Sequence, residues 1–255
     1  MILKNIYGAL LCAGALVMAS CSSEIDTNDS NVTNSKDATE HYVSITPTNV
    51  ETRSIVNPYG LSEFEKGDLF LVYDITDPHG FDALYARTGG VRSKFDGRIK
   101  CKSGDDIAMF YPYRLNYVGA QPGTVELSMQ ENSVSKNGKV VTKQQDGTLE
   151  TVSYFDYSWD LLKNIEISEG ILETDGQFKK QYSLLKVKFE YEGVPLKNIT
   201  KVTLKNATRQ ATFNLATGEY SDRDNSGFTV TPQKPVDELF IAVFPDVEFH
   251  PTFLV

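Results

Sequence analysis

Residues 185–192 read LKVKFEYE. Leu185, Val187, Phe189 and Tyr191 fall on one side of an extended chain, and Lys186, Lys188, Glu190 and Glu192 on the other. Period two predicts a strand with one buried and one wet face. The same period runs outward in both directions. Upstream it appears in 42–47 (YVSITP) and 124–129 (TVELSM), and downstream in 199–204 (ITKVTL), 211–215 (ATFNL) and 228–231 (FTVT). Stretches 68–74 (DLFLVYD), 107–113 (IAMFYPY) and 239–244 (LFIAVF) are nearly continuous apolar runs. Turn chemistry separates them, with Lys136-Asn-Gly-Lys139 of a favoured hairpin type and Ala216-Thr-Gly-Glu219. Short strands between turns predict an all-β chain of sandwiches. One brief helix is expected at 159–164 (WDLLKN).

The ends of the pattern set the organisation. Residues 1–20 carry one charge, Lys4, and an apolar run from Ile6 to Met18, too short for a stable membrane span. Met18-Ala19-Ser20-Cys21 resembles the lipobox of bacterial lipoproteins. This reading places signal cleavage between Ser20 and Cys21 and acylates the Cys21 thiol; the bland alternative is a plain signal peptide with a chance cysteine. Residues 21–41 are rich in Ser, Thr, Asn and Asp and read as a flexible tether. Acidic residues so close behind the cysteine also resemble the export signal of Bacteroides-type lipoproteins that reach the outer face of the outer membrane. A compositional shift over 168–177 (SEGILETDGQ) suggests a boundary, giving domains at 42–172 and 173–255.

Charge and composition exclude several functions. The formal net charge is −9, and loss of residues 1–20 with Lys4 takes it to −10. Such a chain has no electrostatic footprint for nucleic acid. Anionic lipid would repel it, so membrane attachment falls to the acyl chains. Cys12 lies in the signal and Cys101 is left alone, so no internal disulfide framework is expected. His41, His79 and His250 stand at no ligand spacing, so no metal and no cofactor are expected. No phosphate loop or nucleophile elbow is present, and an enzyme has no constellation to stand on. Asp105-Asp106 and 222–227 (DRDNSG) read as solvated turns. The aromatic cluster 154–159 (YFDYSW), with Tyr157 and Trp159, has the residue types that stack on sugar rings; core packing is the competing reading.

Taken in order, these stretches carry a resemblance. The lipobox and tether lead to 51–54 (ETRS), 64–73 (FEKGDLFLVY) and 107–113. Then come 182–189 (YSLLKVKF), 199–206 (ITKVTLKN), 214–220 (NLATGEY) and 239–245 (LFIAVFP). The series resembles the fimbrillin-like lipoproteins of Bacteroidales, the pilins and tip or anchor subunits of surface fimbriae. The resemblance implies two transthyretin-like, Greek-key β-sandwich domains and an outer-membrane lipoprotein. It implies other fimbrial subunits as partners by donor-strand exchange, with host or bacterial surface ligands. In the pilins of that family a protease cuts after an arginine behind the first strand; the matching bond here is Arg53–Ser54. The competing reading, proper to anchor-type subunits, leaves the first strand in place. The second domain is short against that pattern, and three readings stand open: a truncated member, a sandwich completed by a partner's strand, or a last strand that is itself the donor. The alternative function is a surface glycan-binding lipoprotein of a polysaccharide-uptake system, with Tyr157 and Trp159 as contacts.

Overall fold

A computed structural model describes residues 39–48, 55–56, 62–90, 92–113, 122–136, 139–245 and 250–255. Cys21 and the Arg53–Ser54 bond lie outside them. Along the first half the strands are β1 (Thr39–Pro47), β2 (Ile55–Val56), β3 (Ser62–Glu63), β4 (Leu69–Asp74), β5 (Phe81–Ala86), β6 (Phe95–Cys101), β7 (Ile107–Tyr111), β8 (Thr124–Ser128), β9 (Glu131–Lys136) and β10 (Lys139–Gln144). A single helical turn, α1 (Leu149–Val152), precedes β11 (Ser158–Leu162), β12 (Ile171–Gly176) and β13 (Lys179–Lys180). The remainder are β14 (Ser183–Val187), β15 (Glu190–Tyr191), β16 (Val194–Pro195), β17 (Val202–Lys205), β18 (Gln210–Asn214), β19 (Tyr220–Asp224), β20 (Phe228–Val230), β21 (Leu239–Val243) and β22 (Thr252–Leu254).

One eight-stranded sheet runs in the order β12-β1-β6-β5-β4-β7-β11-β13. Laid flat, it would be about 34 Å wide at the usual strand spacing. Its two end strands, however, are joined by only Gln177 and Phe178. That connection spans at most about 11 Å. The sheet therefore curls until its edges meet, and the enclosed face makes a first core. Val43, Ile45, Phe70, Val72, Leu84, Phe95, Ile99, Met109 and Leu172 lie in it, all buried. Phe178, in the joining segment, stacks on Phe70 at 4.4 Å.

The second core lies on the outer side of β4 and β7. Leu71, Tyr73, Ala108 and Phe110 meet Val125, Leu127, Val202, Leu204, Phe213, Phe228, Leu239 and Ile241 there. Around it stand the sheets β19-β18-β8, β20-β17-β22 and the pair β14-β21. This explains why 69–74 and 107–111 read as unbroken apolar runs. Every residue of both strands is buried, alternately toward one core and the other. Strands covered on both faces lose the polar half of the alternation. β8 belongs to the first half of the chain yet pairs residue for residue with β18. Asp37–Val255 is a single compact unit by its contacts.

The all-β fold is the one expected, with three local corrections. The helix expected at 159–164 is strand β11, paired to β7 over Ser158–Leu162. Its apolar residues serve two cores, which imitates a helical stripe. The one α-helical turn among the described residues is instead α1, where Thr148 caps the N–H of Thr151. The stretch at 168–177, expected to mark a boundary, contributes strand β12. The alternation at 185–192 holds for Leu185, Val187 and Phe189, half-buried against the second core. Tyr191 is 67% exposed because β14 stops at Val187 and a new hairpin, β15–β16, begins.

Candidate strand-exchange site

β1 sits in a slot. It pairs antiparallel with β6 from Thr39 to Ile45 and parallel with β12 from Tyr42 to Pro47. Among the described strands this is the one parallel ladder, all others being antiparallel. Sequence neighbours usually form hairpins, which are antiparallel. A parallel ladder marks β1 as a strand laid in from outside the local meander. Its inward side chains, Val43 and Ile45, are buried at 0% and 1% exposure.

The slot is closely fitted. Gly97 of β6 stands opposite Val43, and its close neighbour lies on β5, where a Cβ would sit 2.7 Å from the Ala83 carbonyl oxygen. Gly176 of β12 stands opposite Pro47, where a Cβ would lie 2.6 Å from the Phe178 ring and 3.2 Å from Ile45. On the outer face Ser44 donates to Asp96 at 2.8 Å, and the Arg87 Nε–H donates to the other oxygen at 3.1 Å. Burial raises the Asp96 carboxyl, but hydrogen bonds from Ser44, Tyr42 and Arg87 outweigh it and hold it below the usual carboxylate value. The ion pairs Lys94–Glu173 at 2.7 Å and Arg98–Glu40 at 3.7 Å tie the residue before β6 to β12 across β1, and β6 to β1 itself.

The second core has an open counterpart. Among the described residues β14 is hydrogen-bonded on one side only, to β21. Its inward residues Leu185 and Val187, with Phe189 beyond, are only half-buried. Leu184 is 40% exposed, and nearby on the chain Tyr191 and Val194 are 67% and 65% exposed. Phe189 meets Phe253 of β22 edge-on at 5.5 Å. An edge strand over a partly covered core is a template for another strand.

The aromatic pair proposed for sugar contact is not such a site. Tyr157 is completely enclosed. Its hydroxyl donates to the Ser128 carbonyl at 2.8 Å, and its ring stacks parallel to Phe244. Trp159 is half-buried, donates its Nε1–H to the Leu215 carbonyl at 2.9 Å and meets Phe213 edge-on. The turn at Gly218 covers the indole so closely that a Cβ there would lie 2.7 Å from it. The signal was legible in the spacing of two: Phe155, Tyr157 and Trp159 all turn to the core as the chain leaves the short helix for β11. Asp105, read as a solvated turn residue, is 1% exposed. The slot's own signals were Gly97 within a strand pattern, which marks close backbone approach, and Gly176. Cys101 is buried and free, its thiol pushed up to about 12, by burial first and then by Asp74, Asp105 and Asp82. Among the described residues no three His, Cys, Asp or Glu side chains converge on a metal position.

A solved structure shares this architecture. The chain superposes on a "putative cell adhesion protein" from Bacteroides uniformis ATCC 8492 with a TM-score of 0.55. The match covers 84% of this chain and 78% of that one, at 12% identity. The fold is shared with that protein. A second "putative cell adhesion protein", from Bacteroides ovatus ATCC 8483, gives 0.47 at 17% identity over 81% of this chain and 77% of that one. A fimbrial protein from the same Bacteroides ovatus strain gives 0.37 at 13% identity, covering 85% of this chain and 46% of that one. No family model matches the sequence, and no curated protein matches it.

Proposed function

We propose that this chain is a fimbrial subunit or fimbrillin-like surface lipoprotein, structural and adhesive rather than catalytic, which assembles by strand exchange. The observation that carries the reading is β1, held by two ladders in a slot and joined in parallel to β12. Cutting at Arg53–Ser54 would free β1 at its C-terminal end. Its departure would leave unpaired backbone on β6 and β12 above an apolar floor. A strand from a neighbour satisfies both by β-augmentation, and head-to-tail repetition does not close, so it builds a filament. The half-covered edge at β14 supports a second strand-accepting position. The cell-adhesion and fimbrial descriptions of the structural neighbours support the same role. Cys21 is the acylated residue and anchors the chain in the outer membrane. The proposed domains 42–172 and 173–255 correspond to the two cores only loosely, since Val125, Leu127, Phe155 and Tyr157 of the first span line the second core and Phe178 of the second span lines the first. The glycan-binding alternative loses its contacts, since Tyr157 is enclosed and Trp159 covered.

The test is an unboiled gel of material sheared from cells that express the protein, with N-terminal sequencing of each band. A ladder of regular spacing with Ser54 at the mature end supports polymerisation through the vacated slot. A ladder beginning at Cys21 assigns assembly to the β14 edge instead. A single monomer band that stays with the cells overturns assembly by strand exchange. Palmitate labelling that survives Cys21→Ser overturns the anchor.

A further inference from the structure

Two carboxyl groups are buried against each other at one end of the curled sheet. Asp74 closes β4 and is 2% exposed; Asp105, in the turn before β7, is 1% exposed. Asp74 Oδ1 accepts the backbone N–H groups of Thr76 and Asp77, each at 2.9 Å. Its Oδ2 is enclosed, and no donor reaches it. The Asp105 carboxyl lies within hydrogen-bonding reach of Asp74. Asp105 in turn accepts the Lys102 N–H at 2.8 Å. Two acceptors cannot face each other in the interior as bare anions, because their charges are poorly screened there. Something positive must lie between them.

We propose that the buried Asp74 carboxyl keeps its proton on the enclosed Oδ2 and turns it toward Asp105, a contact that latches the turn after β4 to the turn before β7. The surroundings fit a latch. Ile75 N–H donates to the Asp106 carbonyl at 2.9 Å, and Asp106 N–H donates to the Thr76 hydroxyl at 2.8 Å. Ile165 N–H donates to the Asp105 carbonyl at 2.9 Å, and Asn164 N–H to the Asp106 carboxylate at 2.8 Å. Three turns are thus stitched around the pair. The charged and titratable neighbours are Asp77 and Asp106 in those turns, Asp82 on β5, and Cys101 and Lys102 at the end of β6. Lys102 is the cation among them, and its ammonium is engaged with Asp77 at 3.0 Å. A proton fits better than a metal, since no third ligand converges among the described residues. Burial raises Asp74 most. The N–H of Asp77 lowers it, the Asp105 carboxyl raises it again, and the balance holds it up to about 6.

The sign follows. An acid raised on folding binds more protons in the folded state, so its stabilisation is lost as pH climbs from the unfolded value through about 6. Over the full span from below the unfolded value to well above 6 this is at most roughly a 100-fold change in the folding equilibrium; between pH 5.5 and pH 8 about a fourfold change remains, or about 2–3 °C in melting temperature for a chain of this size. The experiment is thermal melting of the full chain at pH 5.5 and pH 8, at constant ionic strength with a chelator. Wild type is expected to melt lower at pH 8. In Asp74→Asn the amide keeps the acceptor for Thr76 and Asp77 and donates to Asp105. Its melting temperature is expected to change less between the two pH values and to exceed wild type at pH 8. Equal melting of wild type at both values, or an equal fall in Asp74→Asn, overturns the latch. If Asp74→Asn does not fold, infrared titration of wild type decides: a protonated-carboxyl band present at pH 5.5 and lost by pH 8 supports the latch, and its absence overturns it. A rise in wild-type melting temperature at pH 8 on adding calcium without chelator, absent in Asp74→Asn, overturns the proton in favour of a cation.

Discussion

Ile45→Ala tests whether β1 is a structural part of the first core. Ile45 is 1% exposed and its Cγ2 lies 3.2 Å from where a Cβ on Gly176 would sit, so the site is already tight. The substitution removes three carbons. At about 0.8 kcal/mol each, transfer accounts for about 2.4 kcal/mol. The cavity adds to this, because β6 is held on its far edge by β5 and cannot close fully on the gap. The expected loss is about 3–4 kcal/mol, read by urea denaturation as a lower midpoint at unchanged slope. Thr46→Ala, on the wetter face of the same strand, serves as control and should cost less than about 1 kcal/mol. A loss below about 1 kcal/mol for Ile45→Ala would refute the reasoning, since β1 would then not be seated in the slot. Chain beginning at Ser54 lacks β1 and is untouched by the substitution, so the same variant separates the uncut form from the cut one.

Tyr157→Phe removes a buried hydroxyl and leaves the Ser128 carbonyl without that donor; it should cost about 1–3 kcal/mol by denaturation. Gly218→Ala forces a side chain at a φ of +73° into the Trp159 ring and should quench or shift the tryptophan fluorescence while lowering the melting temperature. Cys101 should resist alkylation at pH 8 in the folded protein and react on adding denaturant, because its thiol is enclosed and pushed up to about 12. Asp96, Asp146 and Asp224 are held below the usual carboxylate value. Their contribution is complete above that value and lost as pH falls through the lower one, so stability should drop below about pH 4.

Much of the fold was legible because alternation survives wherever one face is wet. It failed where tertiary partners, not local pattern, decide the strand. β12 has one buried large apolar side chain, Leu172, between exposed Ile171 and Glu173. Its identity as a strand comes from pairing with β1 some 130 residues upstream, which no window reveals. β11 misled in the opposite way, since Trp159 and Leu161 serve the second core while Leu162 packs on the first. The runs at β4 and β7 announced burial on both faces but could not say that two different cores lay there. Asp105 looked like a turn residue and is one. That its carboxyl points inward at Asp74 depends on two turns meeting in space.

The shared wall also bears on how a subunit could exchange strands without unfolding. β1 contributes Val43 and Ile45 to the first core and nothing to the buried lining of the second. β14 stands on the second core alone, through Leu185 and Val187. Loss of β1 therefore strips one core of two side chains and leaves the other's lining whole. β4 and β7 keep their partners on both edges throughout, β5 and β11 on the outside and each other within. On the proposed exchange, an intact wall between a core that would give up a strand and a core that would gain one would let each site change occupant separately. A single undivided core would couple every exchange to global stability.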